Sequence, residues 1–359
     1  MNILTYDNID RVEWSRLVET SATGTWFQGP EAYSFYESLP ELFKPFVVAV
    51  INDANGDNGD ATLNGGALRG VCVGYVTVEK SVYKQFFTRR AIIIGGPVIA
   101  NDATSEEVET LMKAVRDQFK IFDLRFLILN APIYIECRNF NDYSRWKDAF
   151  ASAGYEYKKH LNFHVDCRDK EAMWERLSES RKKQIRRSDA TIEIIENKHK
   201  ENLDKNEAEI REWYEILREL YRTKVKTPLW PVEFFLEIYR QSIGKYLMVK
   251  YEGKVIGGLL MVENEKCVYE WFGCGLNTEY KVQYPFVMAT WSGMAYAAEY
   301  NIPRCDFMGA GEPNVPYGVR DFKEKFGGEL VEHGRLLCVN KPLLYFVGKC
   351  GVWLLKRFK

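Results

Sequence analysis

The sequence predicts an α+β fold in which one arrangement of strands and helices is used twice. Hydrophobic periodicity gives the same order, three strands, a helix and a further strand, in each half of the chain. Strands and helices do not alternate regularly, so a mixed sheet with helices on its faces is favoured over a doubly wound parallel sheet. The chain has 359 residues, which is enough for two domains with buried cores.

In the first half, apolar runs bounded by turn residues predict strands at 45–51, 71–78 and 91–99. The first two are separated by residues 52–66, a loop rich in Gly, Asn and Asp. A helix is expected to open at Thr104, because two glutamates occupy its first turn, and to run to residue 122. The last strand of this half is predicted at 126–130.

The second half repeats this order with clearer turn signals. Strands are predicted at 246–251, 255–262 and 267–273, with Glu252 and Gly253 forming the tight turn between the first two. A long apolar helix and a further strand follow, at 285–300 and 304–308.

Between the halves, alternating apolar and polar residues predict a half-buried strand over 155–166. Helical spacing then predicts helices at 169–188 and 201–223, and Pro231 opens another at 232–241. These elements divide the chain into a first domain, a second domain that carries the site, and a basic apolar tail, at residues 1–160, 161–340 and 341–359.

Composition and charge exclude several classes of protein. Hydrophobic residues make up 46% and charged residues 28%, which is typical of a globular protein rather than a disordered or fibrous one. Basic and acidic residues number 49 and 50, so the overall charge does not recruit DNA. No signal peptide, spanning apolar segment or paired-cysteine motif is present, which indicates a cytoplasmic protein with reduced thiols. No metal site or cofactor is expected, because the His and Cys spacings match no ligand motif.

The densest charge feature lies at the end of the helix predicted at 169–188. One interpretation is a solvated helix end, because cations there are favoured by the helix dipole. The other is a patch that binds the phosphates of a nucleotide, a coenzyme or tRNA, with about three cations facing one ligand. The cations are Arg181, Lys182, Lys183, Arg186 and Arg187.

A second feature begins at Asp306, where a predicted strand ends in a Gly/Pro-rich loop followed by a short helix. Phe322 and Phe326 lie on the apolar side of that helix and are expected in the core. Lys323 is interpreted either as a surface cation or as a group that polarises a carbonyl or holds an anion, since ligands often bind at such loops. Signatures of serine hydrolases, kinases and dinucleotide-binding folds are missing from the sequence.

Taken together, these segments resemble the FemABX aminoacyltransferase family and related acetyltransferase domains, which are built from GNAT-type folds. Four segments of the second half and one of the first match the family's basic helix, aromatic strand, following helix, Gly loop with its Phe-Lys pair, and first-domain strand. They are residues 174–190, 269–275, 284–300, 306–327 and 91–99. The resemblance implies duplicated GNAT-like domains, each with a mixed, mostly antiparallel sheet.

The resemblance also implies transfer of an activated acyl group to an amine. The donor would be aminoacyl-tRNA and the acceptor an amine of a peptidoglycan or other cell-envelope precursor. The family's Phe-Lys pair corresponds to Phe322 and Lys323, and the aspartate that begins its Gly loop to Asp306. Substrate contacts are expected from four aromatic residues in or near the matching segments, Trp230, Trp271, Tyr284 and Tyr317.

Three departures from the family pattern keep alternatives open. Residues 27–39 lack the family's diphosphate-binding Lys, and Trp230 replaces the corresponding Arg before Pro231. Residues 277–285 lack the glycines of a coenzyme A loop. The alternatives are an acyl-CoA-dependent N-acetyltransferase and a non-catalytic ligand-binding protein on the same fold.

The tail, 341–359, holds five cations and no acid among large apolar residues. It is interpreted either as a helix packed on the body or as a peripheral contact with the anionic inner face of the membrane.

Overall fold

The structure is a computed structural model, and it describes residues 1–52, 66–79, 81–119, 131–198 and 202–357. The chain forms two compact units: Met1–Lys159 with His333–Lys359, and His160–Glu332. The last strand and helix of the chain therefore belong with the first unit. In this respect the structure differs from the division proposed from the sequence, which assigned residues up to 340 to the second domain.

The regular elements of the described ranges are numbered in chain order. The strands are β1 (Asn2–Thr5), β2 (Phe43–Ile51), β3 (Leu68–Thr77), β4 (Arg90–Gly95), β5 (Val98–Ile99), β6 (Tyr134–Asn139), β7 (Glu156–Lys158), β8 (Leu161–Asp166), β9 (Thr191–Ile195), β10 (Lys245–Tyr251), β11 (Lys254–Asn264), β12 (Cys267–Gly275), β13 (Arg304–Gly309), β14 (Glu329–Glu332) and β15 (Arg335–Val339). The α-helices are α1 (Arg11–Thr20), α2 (Pro30–Glu37), α3 (Val82–Thr88), α4 (Ser105–Asp117), α5 (Lys147–Ser152), α6 (Lys170–Arg176), α7 (Glu179–Arg187), α8 (Leu203–Leu220), α9 (Val232–Arg240), α10 (Pro285–Glu299), α11 (Gly318–Glu324) and α12 (Pro342–Arg357).

Each unit is built on one mixed, mostly antiparallel sheet. In the first unit the strand order is β1-β2-β3-β4-β6-β15-β7, with β5 also paired to β3, and the β4–β6 pair is parallel. In the second unit the order is β14-β8-β13-β12-β11-β10-β9, and the β12–β13 pair is parallel. The predicted fold class, a duplicated α+β arrangement, is confirmed.

Most strands and helices of the second half lie where periodicity predicts them, but two first-half predictions fall in undescribed residues. The loop at 52–66 and the strand at 126–130 lie largely or wholly outside the described ranges. The predicted helix start at Thr104 is confirmed by a reciprocal cap. The Thr104 hydroxyl accepts from the N–H of Glu107, and the Glu107 carboxylate accepts from the N–H of Thr104.

Three predicted elements are interrupted. The strand at 91–99 breaks at Gly95 and Gly96, whose positive φ angles of 88° and 78° end β4. The helix at 169–188 is two helices, because Leu177 is extended and the Ser178 hydroxyl caps α7. The strand at 155–166 is likewise two strands, β7 and β8, which belong to different sheets.

The core of the second unit lies beneath α10. This helix is apolar around most of its circumference, and it packs on β10, β11 and β12. Its burial fixes the start of the loop after β12 and holds β12 and β13 side by side, which positions the residues described next.

Candidate active site

The candidate site is built around the end of β13. Asp306 on this strand lies opposite His164 of β8, and the pairing of the two strands shifts register between Asp306 and Gly309. Met308, inside the shift, has a left-handed backbone with φ of 60°. A non-glycine residue in this conformation is strained and needs support from its surroundings.

Asp306 supplies part of that support. Its side chain is fully buried, Oδ1 accepts from the N–H of Met308 at 2.6 Å, and Oδ2 lies 3.1 Å from Nε2 of His164. Burial alone would raise the pKa of Asp306, but the hydrogen bonds from His164 and Met308 and the charge of Arg304 lower it below its ordinary value. Asp306 is therefore an ionised carboxylate with both oxygens engaged, which holds the strand end in place.

Lys323 of α11 also supports the strained backbone at Met308. Its Nζ donates to the carbonyl oxygens of Phe307 and Gly309, at 2.5 and 2.7 Å, on either side of Met308. Burial lowers the pKa of Lys323 to about 8, although Glu270 and Asp306 oppose the shift. Lys323 is half-buried at the site rather than a surface cation, and two of its three ammonium protons are used by the backbone.

Glu270 of β12 is a site residue that the sequence analysis missed. The thiol of Cys305 donates to its Oε1 at 3.7 Å, and a Cβ on Gly293 of α10 would lie 2.8 Å from the same oxygen. Burial raises the pKa of Glu270 well above its ordinary value, and Asp306 adds to the shift while Lys323 and Cys305 oppose it. The one feature of the sequence that could have indicated Glu270 is that it is the single acidic residue in the apolar run 267–275.

Phe322 joins α11 to its neighbours. Its ring stacks on Phe286 of α10, with centroids 4.8 Å apart and planes 9° from parallel. The guanidinium of Arg181 lies over the rings of Phe322 and Phe326, at 4.4 and 4.9 Å from their centroids. Phe326 is fully buried, as predicted, and Phe322 packs against the core.

Arg181 and Lys182, both predicted to bind a donor's phosphates, are engaged within the protein. Arg181 is only 6% exposed, it donates to the Phe322 carbonyl and to Gln184, and burial lowers its pKa to about 10. Lys182 is 7% exposed and forms ion pairs with Glu175 and Glu179. These two cations hold α7 in place because the N-terminal part of the helix faces the core.

The other three cations of the run, Lys183, Arg186 and Arg187, are exposed. The Arg186 guanidinium lies 5.1 Å from the ring centroid of Trp174, and Trp174 in turn meets Trp291 edge to face at 5.2 Å. The C-terminal half of α7 therefore presents a basic surface beside two tryptophans.

The four predicted aromatic contacts fall in three places. Trp230 stacks on Phe234, whose ring meets Trp271 edge to face at 5.4 Å, so these two predicted residues share one aromatic cluster. Tyr284 precedes α10 with a left-handed backbone and packs on the core. Tyr317 is 41% exposed and lies against Gly311, where a Cβ would come within 3.0 Å of its ring.

A cavity of about 570 Å³ lies near the start of β13. It is lined in part by His164, Arg168, Arg176 and Arg304, and neither Lys323 nor Glu270 borders it. Among the described residues, no group of three or more His, Cys, Asp or Glu side chains is arranged to hold a metal ion. Seven of the eight cysteines are buried, which makes them poor nucleophiles.

Comparison with known proteins gives the context of this site. Residues 237–350 match the model of the FemAB family. The crystal structure of FemX is similar over 97% of this chain and 99% of its own, with 13% identity and a TM-score of 0.66. The matched residues lie mostly in the second unit, and FemX shares the fold of the chain. Both findings agree with the resemblance of the sequence to the FemABX family.

Two further solved structures share the fold of this chain. L-PGS from Bacillus licheniformis is 12% identical, with 95% of this chain and 96% of that one covered and a TM-score of 0.52. A tandem GNAT protein from the clavulanic acid biosynthesis pathway is 8% identical, with 94% and 98% covered and a TM-score of 0.50. No match was found among curated proteins. The FemAB match includes Glu270, Asp306, Phe322 and Lys323, and α7 lies before it.

Proposed function

We propose that this protein moves an aminoacyl group from aminoacyl-tRNA to an amine of a cell-envelope precursor. The match of residues 237–350 to the FemAB family model and the similarity of the fold to FemX and L-PGS support aminoacyl transfer in envelope synthesis. The observation that carries the proposal is Lys323, a half-buried ammonium fixed by two backbone carbonyls with one proton left to donate. Phe322, stacked on Phe286 beside it, would orient the donor's acyl end.

The reaction needs one new bond and one broken bond. The acceptor's amine nitrogen attacks the acyl carbon, the C–N bond forms, the ester C–O bond breaks, and the ribose oxygen leaves with a proton. Negative charge develops on the acyl carbonyl oxygen, where the remaining N–H of Lys323 stabilises it. Because Lys323 is held before the substrate arrives, this stabilisation needs no rearrangement at the moment of reaction.

The amine must also lose a proton. Glu270 is the group that accepts it. Burial raises the pKa of its carboxyl, which makes the carboxylate a stronger base, and its charge interacts with those of Lys323 and Asp306. The same carboxyl then returns a proton to the departing ribose oxygen. Asp306 does not take this role, because its pKa is lowered and both of its oxygens are occupied.

The donor is proposed to lie along α7. Lys183, Arg186 and Arg187 are exposed and meet the phosphates of the tRNA acceptor end, while Trp174 and Trp291 offer aromatic faces near them. Arg181 and Lys182 support this surface from below instead of touching the ligand.

Acyl-CoA remains the second candidate donor, because the tandem GNAT protein shares the fold. The loop after β12 argues against it, since residues 277–285 contain no glycine to wrap a pyrophosphate. On the acceptor side, Trp230 packs in an aromatic cluster where a diphosphate-binding arginine was expected from the family. We therefore favour an envelope amine that is recognised without that contact, and we place the reaction in the cytoplasm.

The experiment is a transfer assay with radiolabelled aminoacyl-tRNA or acyl-CoA as donor and envelope amines, including lipid-carried ones, as acceptors. The proposal predicts labelled product with aminoacyl-tRNA. Product with acyl-CoA alone would establish the second candidate. If no donor reacts or shifts the thermal unfolding midpoint, the acyl-transfer proposal is wrong.

A further inference from the structure

The C-terminal helix α12, Pro342–Arg357, has two faces with different surroundings. One face packs on the first unit: Tyr345 meets Tyr134 edge to face at 5.3 Å, and Gly348 lies close to the backbone of α3. Half-buried residues recur along this face at helical spacing, at positions 341, 344, 345, 348 and 351.

The opposite face is apolar and open to solvent. Leu343, Phe346 and Val347 are 84%, 67% and 51% exposed, and their spacing places them on one stripe. Phe87 of the neighbouring α3 is a further large apolar residue, 46% exposed. Single exposed apolar side chains are common on protein surfaces, but a contiguous stripe of them is rare. Such a stripe therefore marks an interaction surface.

The charged residues within the tail itself are all positive. Residues 341–359 contain five cations and no acid. Burial is the main cause that lowers the pKa of Lys341, and the charge of the nearby Arg89 lowers it further. A surface with apolar side chains flanked by cations is complementary to an anionic bilayer, where the apolar groups enter the interface and the cations meet phosphates.

We infer that the exposed face of α12 binds the surface of an anionic phospholipid membrane. Leu343, Phe346 and Val347 enter the interface, and the exposed Lys349 lies at its edge. Among the described residues no helix is long and apolar enough to cross a membrane, so α12 lies along the surface. This inference is independent of the proposed acyl transfer, since it needs neither donor nor acceptor.

The test is flotation of the full chain with vesicles of phosphatidylglycerol and phosphatidylcholine in equal amounts, and with vesicles of phosphatidylcholine alone. The wild-type protein is expected to float with the anionic vesicles, and the bound fraction to fall as salt rises. Combined Leu343→Gln, Phe346→Gln and Val347→Gln substitutions should reduce binding by more than about tenfold. Lys349→Gln should reduce it by about fivefold.

The matched control replaces three exposed apolar residues elsewhere, as Val12→Gln, Val282→Gln and Val315→Gln. It should bind as the wild type does. Equal binding of the two triple variants, equal binding to both kinds of vesicle, or no binding at all would overturn the inference. Self-association that the α12 substitutions abolish, without vesicle binding, would show that the face pairs with another copy of the chain instead.

Cys350 provides a second readout that does not depend on substitutions in the stripe. It is the exposed one of the eight cysteines, and it follows the stripe by one helical turn. An environment-sensitive fluorophore attached to Cys350 should shift to shorter wavelength when anionic vesicles are added. An unchanged spectrum would contradict insertion of this face.

Discussion

The central residues of the site divide into those that hold the backbone and those that remain available to a ligand. Asp306 and two of the ammonium protons of Lys323 form hydrogen bonds with the backbone at the strained end of β13. The third proton of Lys323 and the carboxyl of Glu270 are left for chemistry. Asp306, predicted to be catalytic, is therefore a positioning residue in our account.

Replacing Glu270 tests its role as the proton acceptor. Glu270→Gln should lower the rate of transfer by about 100-fold or more and remove the acidic limb of the pH–rate profile. Glu265→Gln, on the exposed turn between β11 and β12, is the matched control and should leave the profile unchanged. A Glu270→Gln variant with the wild-type rate and profile would show that another group takes the proton.

The same substitution predicts a change in stability that does not depend on activity. Because the folded-state pKa of Glu270 is raised, the folded protein binds more protons than the unfolded chain above pH of about 4.3. The free energy of unfolding of the wild type should therefore fall, relative to Glu270→Gln, as pH rises from there toward neutrality. Chemical denaturation at several pH values measures the difference, and a constant difference would contradict the raised pKa.

Sequence reasoning found Lys323, Phe322 and Asp306 because they stand in recognisable segments. It missed Glu270, because an acid inside an apolar strand carries no motif and its significance depends on burial by α10 and α11. It also grouped Arg181 with its neighbours in the basic run. A run of like charges does not show which members face the core, and that is decided by where the helix begins.

At the scale of elements, the break between α6 and α7 determines the site's basic surface. Ser178 caps α7, and the restart turns Arg181 toward Phe322 and leaves Lys183, Arg186 and Arg187 outside. The prediction of a single helix over 169–188 was wrong. Apolar residues recur at helical spacing in both helices, so the sequence pattern does not reveal the break between them. The strand and helix order of the second half was predictable because each element ends in strong turn residues.

Substitutions on α7 should separate the two groups of cations. Arg186→Ala with Arg187→Ala should weaken tRNA binding and reduce the slope of log affinity against log salt by about 1.4, which corresponds to two phosphate contacts. Arg181→Met should lower the thermal unfolding midpoint because it removes the contacts to Phe322, yet leave that slope unchanged. A reduced slope with Arg181→Met, or an unchanged one with the double variant, would reverse the assignment.

The cap of α7 gives a further prediction. Ser178→Ala should reduce the free energy of unfolding by about 1 kcal/mol, because the N–H of Arg181 loses its side-chain partner. Denaturant unfolding measures the effect. Ser152→Ala, at the exposed end of α5, is the control, and an equal loss in both variants would contradict the capping role.

At the scale of the whole molecule, the chain leaves the first unit after Lys159 and returns to it at His333. β15 then pairs between β6 and β7, next to the edge of the first sheet. Sequence patterns predicted both sheets but not this return, because pairing between strands so distant in the chain leaves no local signal.

The return predicts different results for two truncations. A chain ending at residue 340 keeps β15 and should unfold cooperatively, with a modest loss of stability from the missing helix. A chain ending at residue 332 loses β15, which exposes the edges of β6 and β7, and should lose the folded first unit. Circular dichroism during thermal unfolding distinguishes them, and equal stability of the two would contradict the assignment of β15 to that sheet.

Stabilisation of the acyl oxygen by Lys323 is the central step of the proposed reaction, and single-turnover transfer from aminoacyl-tRNA measures it. Lys323→Ala is compared with Lys325→Ala, an exposed lysine just past the end of the same helix, after both are shown to be folded. We predict that the Lys323 variant loses about 100-fold or more of the rate while the Lys325 variant retains it. Equal rates for wild type and a folded Lys323→Ala protein would contradict the account.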